Sequence, residues 1–249
     1  MTRHLPAAAA LALLCVALPA RAAQAPFTYD AKEDHRFGST RGTLTVGDEG
    51  VAFAAPNGKD GRRWTFDAIQ QIRLAPRQIE ITTYEDRGRL STGGGRVYRY
   101  AVTGAAVDAA LADFLLARVH VPVVSAVLPS AAKDAEISVP AHHERRRGGA
   151  DGTLVATPAG VAFVTSRAGE ARFWRYADLS AVLAIDRYRL QLSAYEGSPG
   201  ETRPYVFSLK APLDTRAYDL LWQRINRPAP RAGEQQKTPA TAAPPVALR

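Results

Sequence analysis

The side chains of this sequence that could do chemistry are few and scattered. Outside the first two dozen residues the histidines are His35, His120, His142 and His143, and the only cysteine is Cys15, inside an apolar leader. A thiol nucleophile and a disulfide framework are therefore both missing from the body of the chain. His142-His143-Glu144 places two imidazoles beside a carboxylate. Such a group could ligate a metal or work as an acid–base pair. Neighbours on a strand point to opposite faces, however, so both histidines would not meet one ion. No third ligand follows at a metal-site spacing, and no metal and no cofactor are expected. No serine elbow, no His-Glu-x-x-His and no phosphate-binding glycine loop is present. Gly93-Gly94-Gly95 is followed by Arg96 to Val102, a strand pattern and not a helix. Tyr84-Glu85 and Tyr195-Glu196 recur, and read as a core tyrosine with a solvated carboxylate. The expectation is a protein that is not an enzyme. The alternative is a hydrolase of an unrecognised kind using His143 with Glu144, or His35.

A basic cluster is the other candidate. Arg145-Arg146-Arg147 precedes Gly148-Gly149, and Arg36 and Arg41 bracket the corresponding stretch earlier in the chain. A guanidinium offers planar paired donors that suit phosphate and carboxylate. If the protein binds an anion, these five arginines are expected to carry it. An ordinary solvated loop has the same composition.

The elements that must position these residues come from a duplication. Arg62-Arg63-Trp64-Thr65-Phe66-Asp67-Ala68-Ile69 returns as Arg172-Phe173-Trp174-Arg175-Tyr176-Ala177-Asp178-Leu179, with 174 − 64 = 110 positions between the tryptophans. Gly42-Thr43-Leu44 and Gly50-Val51-Ala52-Phe53 return at the same spacing as Gly152-Thr153-Leu154 and Gly160-Val161-Ala162-Phe163. Alternating apolar runs predict seven strands before each of two amphipathic helices, at 105–119 and from Pro212 onward. Trp64 and Phe66, like Trp174 and Tyr176, are predicted to share one strand face and to anchor a core.

The flanks read differently. Residues 1–22 have a basic start, an apolar run from Leu5 to Leu18 and small residues at Ala20-Arg21-Ala22. That is the pattern of a signal peptide cleaved near Ala22, for export to the periplasm or outside the cell. Residues 120–136 read as a linker, with one extra strand between Val121 and Val127. Residues 227–249 are rich in proline and alanine and are expected to be disordered. The formal net charge is +8, mostly arginine, yet long basic runs are absent, so nucleic acid is not an expected partner.

Seven strands closed by one helix, twice over, resemble the pleckstrin-homology superfold in its bacterial and GRAM-type forms. The resemblance rests on Trp64-Thr65-Phe66-Asp67-Ala68-Ile69 and Trp174-Arg175-Tyr176-Ala177-Asp178-Leu179, and covers about residues 28–119 and 137–226. It implies a mainly β chain of two tandem units, each a seven-stranded antiparallel sandwich or partly open barrel plugged by its helix. It also implies a binding or scaffold role, with an anionic membrane surface or a protein partner as the ligand classes. In lipid-binding members the loop between the first two strands holds phosphate. This sequence departs from their lysine pattern, having none between Lys133 and Lys210.

Overall fold

The computed structural model describes residues 26–226, apart from 36–37, 57, 59, 87–94, 147 and 198–200. The expected signal peptide and disordered tail therefore lie outside the described residues, as do Arg36 and Arg147.

The chain is mainly β. In order it forms β1 (Phe27–His35), β2 (Gly38–Gly47), β3 (Gly50–Ala54), β4 (Arg62–Trp64), β5 (Ile69–Ala75), β6 (Gln78–Asp86), β7 (Gly95–Thr103) and α1 (Ala109–Arg118). The short β8 (Val123–Ser125) follows. Then come β9 (Ile137–Glu144), β10 (Gly149–Ala156), β11 (Gly160–Val164), β12 (Arg172–Arg175), β13 (Leu179–Asp186), β14 (Arg189–Tyr195), β15 (Thr202–Leu209) and α2 (Thr215–Asn226).

Among the described residues all fifteen strands join one open sheet, in the order β13-β14-β15-β9-β10-β11-β12-β8-β5-β6-β7-β1-β2-β3-β4. The seven strands before β8 and the seven after it take the same relative places in that order. Glycine shapes both copies of one turn. Gly50 has φ +139°, and a Cβ there would fall 2.0 Å from the Trp64 carbonyl oxygen; at Gly160 it would fall 2.2 Å from that of Trp174. Any side chain would push the hairpin off the tryptophan strand.

Two apolar clusters fill the halves. One gathers Leu44, Phe53, Trp64, Ile72, Tyr100 and Leu111 with their neighbours, and the other gathers Phe163, Trp174, Leu192, Tyr205, Phe207 and Leu221 with theirs. A third, small cluster of Ala132, Val155, Ala162 and Phe173 packs with Leu116 and Leu128 between them. The stretch expected as a linker is thus ordered into the fold. Val123, Val124 and Ser125 are buried and pair in parallel with β5, because apolar valines gain more by covering that edge than by remaining in water.

The predicted strand over 62–66 is corrected. β4 stops at Trp64, and Phe66–Ala68 is one 3₁₀ turn, closed by Ala68 N–H donating to Thr65 O at 3.1 Å. Tyr176–Asp178 repeats it. The chain needs this corner to pass from β4 to β5, so Phe66 leaves the alternation and is only half-buried, whereas Tyr176 is buried. Helix α2 likewise starts at Thr215, beyond Pro212. There Asp214 carries the turn, its carboxylate accepting from Arg216 N–H at 3.2 Å.

Candidate functional site

Residues 145–148 form the loop from β9 to β10, so Arg145 and Arg146 do sit between the first two strands of the second half. Arg145 donates to Glu170 Oε1 at 2.7 Å. Arg146 forms no ion pair with a described residue and is exposed. Both line an open cleft of about 560 Å³ whose other walls are His143, Glu144, Arg203, Pro204 and Tyr205. Arg203 lies 5.4 Å above the Tyr205 ring and 3.6 Å from Glu196. Arg41 is elsewhere. β2 already begins at Gly38, so Arg41 stands within a strand, opposite Lys32. It lines a separate cleft of about 390 Å³ with Asp30, Lys32 and Thr103. Of the five expected arginines, the structure brings Arg145 and Arg146 together, sets Arg41 apart, and leaves Arg36 and Arg147 outside the described residues.

The histidines divide as strand alternation requires. His142 lies 3.3 Å from Asp151 Oδ1. His143 is buried, its ring 5.2 Å from Phe207, 5.4 Å from Tyr205 and 5.8 Å from Phe163. Burial pushes its pKa down to about 4, and the positive charge of Arg145 adds to the effect. Its Nδ1 is buried with no hydrogen-bond partner among the described residues. Glu144 leaves on the other face. It accepts from Ser208 Oγ at 2.5 Å and Arg189 Nη2 at 3.0 Å, which hold its carboxyl below the ordinary range. His35 Nε2 is 3.0 Å from Thr40 Oγ1. Among the described residues no three His, Cys, Asp or Glu side chains group as metal ligands.

A repeated polar cluster escapes the sequence reading. Trp64 Nε1–H donates to Glu85 Oε1 at 3.1 Å, and the Tyr98 hydroxyl donates to Glu85 Oε2 at 2.5 Å. The two rings are 4.6 Å apart, with Arg62 and Arg96 at 5.0 and 5.2 Å from the tyrosine centroid. In the second half Trp174 and Tyr205 are 4.7 Å apart, Tyr205 donates to Glu196, and Arg203 covers the tyrosine. Burial and the adjoining glutamate push both tyrosines up to about 12. The expected core tyrosines are the reverse of this. Tyr84 and Tyr195 are 61% and 41% exposed, and Glu196 is the buried member of its pair at 5%. The signal was present: Trp, Glu, Arg and Tyr all recur at nearly the spacing of the tryptophans. A list of polar repeats alone, however, does not say which face they share.

This cluster also touches the seam between the halves. Arg73 Nη2 lies 3.8 Å from Glu196, and Gln71 Nε2–H donates to Tyr195 O at 3.4 Å. Arg175 donates to Leu116 O, Val119 O and Val121 O at 3.1, 2.6 and 2.7 Å, while Asp178 accepts its remaining edge. One guanidinium thus holds the carbonyls at the end of α1 and the approach to β8.

No family model matches the sequence, and no curated protein matches it. Among solved structures the chain is similar to a chain of the Spt16D–Pob3N heterodimer, at 11% identity over 69% of this chain and 84% of that one, with a TM-score of 0.28.

Proposed function

We propose that this chain is an exported, non-enzymatic binding protein built from two pleckstrin-homology-like modules, residues 28–119 and 137–226, and that the cleft beside loop 145–148 takes the phosphate of an anionic lipid surface. The module reading is supported by the strand order shared on either side of β8 and by the separate apolar cores. The ligand reading rests on one observation: Arg145, Arg146 and Arg203 converge on a cleft of about 560 Å³, and Arg146 has no carboxylate to neutralise it among the described residues. The buried His143 beneath is held neutral near pH 7, so the positive charge lining the cleft is that of the arginines.

Each exposed arginine near an anionic bilayer contributes about 1 kcal/mol, so binding through this cleft is weak and sensitive to salt. Co-sedimentation with phosphatidylserine-containing and neutral vesicles, at low and high salt, tests it. The wild type should partition to anionic vesicles at low salt only, and Arg145→Ala/Arg146→Ala should lose about thirtyfold in partitioning. Equal sedimentation of the two proteins, or none with anionic vesicles at low salt, rejects the lipid reading.

A further inference from the structure

The loop beside the cationic cleft is tied to a neighbouring loop. One is 145–148, between β9 and β10; the other is 165–171, between β11 and β12. Each is a tight turn, with Arg145 N–H donating to Gly148 O at 3.0 Å and Glu170 N–H donating to Arg167 O at 3.1 Å. Between them Arg145 Nη1 donates to Glu170 Oε1 at 2.7 Å, and Arg167 donates to Gly149 O. Backbones held in this way set Arg145 and Glu170 face to face.

Glu170 is poorly solvated for a loop carboxylate. Its side chain is 16% exposed, and its second oxygen, Oε2, is buried with no hydrogen-bond partner among the described residues. Arg172, two residues on, uses Nη1 on Gly169 O and Ala171 O, both at 2.7 Å. Its Nε is buried, again with no hydrogen-bond partner among the described residues. A buried unpaired acceptor and a buried unpaired donor are each costly, and here they belong to one short stretch of chain. The charges of Arg145, Glu170 and Arg172 all act on the buried His143 ring, so the three groups surround one point. One carboxylate therefore stands between two guanidinium groups and is bonded to only one of them.

We infer that Glu170 is a resident competitor for the cleft: it occupies on Arg145 the place that a ligand phosphate takes, and on binding it passes to Arg172. This rests on the lipid-phosphate reading above. A guanidinium presents the same planar donors to a carboxylate and to a phosphate, so the two oxyanions compete directly for Arg145. Losing Arg145 would strand Glu170 as a half-buried charge, were Arg172 not beside it with an unused donor. The exchange keeps the carboxylate paired before and after binding, which makes it a two-state element that the ligand biases. The tie to Arg145 also lowers the apparent affinity, because only the fraction of molecules with Arg145 released binds fully.

Co-sedimentation of the full-length protein with phosphatidylserine-containing vesicles at low salt reads the competition. Glu170→Asp keeps the charge but shortens the arm by a methylene, so it should release Arg145 and raise partitioning about threefold or more. Glu170→Gln should raise it about tenfold. Glu49→Gln makes the same change in net charge at an exposed carboxylate of the first half. It should raise partitioning about twofold at most, since a distant charge is screened. Arg172→Gln should weaken the wild type about threefold more than it weakens Glu170→Gln, because only the wild type has a carboxylate to receive. Unchanged partitioning in Glu170→Asp, with equal gains from Glu170→Gln and Glu49→Gln, overturns the inference. The lipid reading then stands if Arg145→Ala/Arg146→Ala still loses binding. Equal losses from Arg172→Gln in both backgrounds overturn the passage to Arg172. No partitioning by any of these proteins removes the inference and the lipid reading together. Should Glu170→Gln fail to fold by circular dichroism, Glu170→Asp alone decides.

Discussion

At matching places in β1 and β9 the two halves bury different polar groups. Glu33 is buried opposite Tyr100, its carboxylate 3.2 Å from Arg62 Nε. His143 is buried opposite Phe207, among three aromatic rings. The first half thus balances an inward arginine with an inward carboxylate. The second replaces the carboxylate with a ring that burial keeps neutral, and the arginines near it find their carboxylates elsewhere, Arg145 at Glu170 and Arg203 at Glu196.

The largest effect expected from disturbing either half is at its tryptophan. Trp64→Ala and Trp174→Ala should each cost about 3–5 kcal/mol in chemical denaturation, the range for a large aromatic removed from a core. Both indoles are buried. Because Arg175, Glu196 and β8 tie the halves together, each variant should move one shared transition. Two transitions, only one of them moving, would break the comparison into independent domains.

Acid should separate the halves next. The folded state holds His143 neutral down to about pH 4, while the unfolded chain takes up its proton near 6.5. Between these values the unfolded state binds more protons, so stability falls as pH drops through the window, by about 3 kcal/mol in all, and this contribution levels off below it. His143→Phe should flatten that limb of a stability–pH curve. A curve of unchanged slope would mean that the ring is not held neutral.

A smaller difference lies at the indole N–H groups. Trp64 donates to Glu85, whereas Trp174 Nε1 has no hydrogen-bond partner among the described residues. Trp64→Phe should therefore cost about 1 kcal/mol more than Trp174→Phe, the net worth of one hydrogen bond. Equal unfolding midpoints would show that the Glu85 contact contributes nothing.

Much of the architecture was legible because it depends on local pattern. The tryptophan spacing and the alternation along β2, β3 and β6 are properties of neighbouring residues, and a strand's side-chain period turns them directly into buried and exposed faces. The candidate site was legible in part. The Arg145-Arg146 loop was visible as a run of like charge before glycines, but Arg41 was expected at the edge of its loop only because nothing in its neighbourhood shows that β2 begins at Gly38. Glu196 was misread because a glutamate is normally solvated, whereas here it is buried and accepts from the Tyr205 hydroxyl. Glu85 is exposed as expected, and only a tryptophan and a tyrosine from other strands make it a shared acceptor.

The sequence by itself determined that this chain is mainly β, since the alternation of a strand survives in one dimension. Tertiary structure alone decided what became of equal strands. β5 gained a parallel partner from the segment following its helix, whereas among the described residues β13 pairs only with β14, and Arg175 spans from one half to the carbonyls of the other. Edges and carbonyls have no side chain to announce them. Their satisfaction depends on which backbone arrives beside them, and that is settled only when distant segments meet.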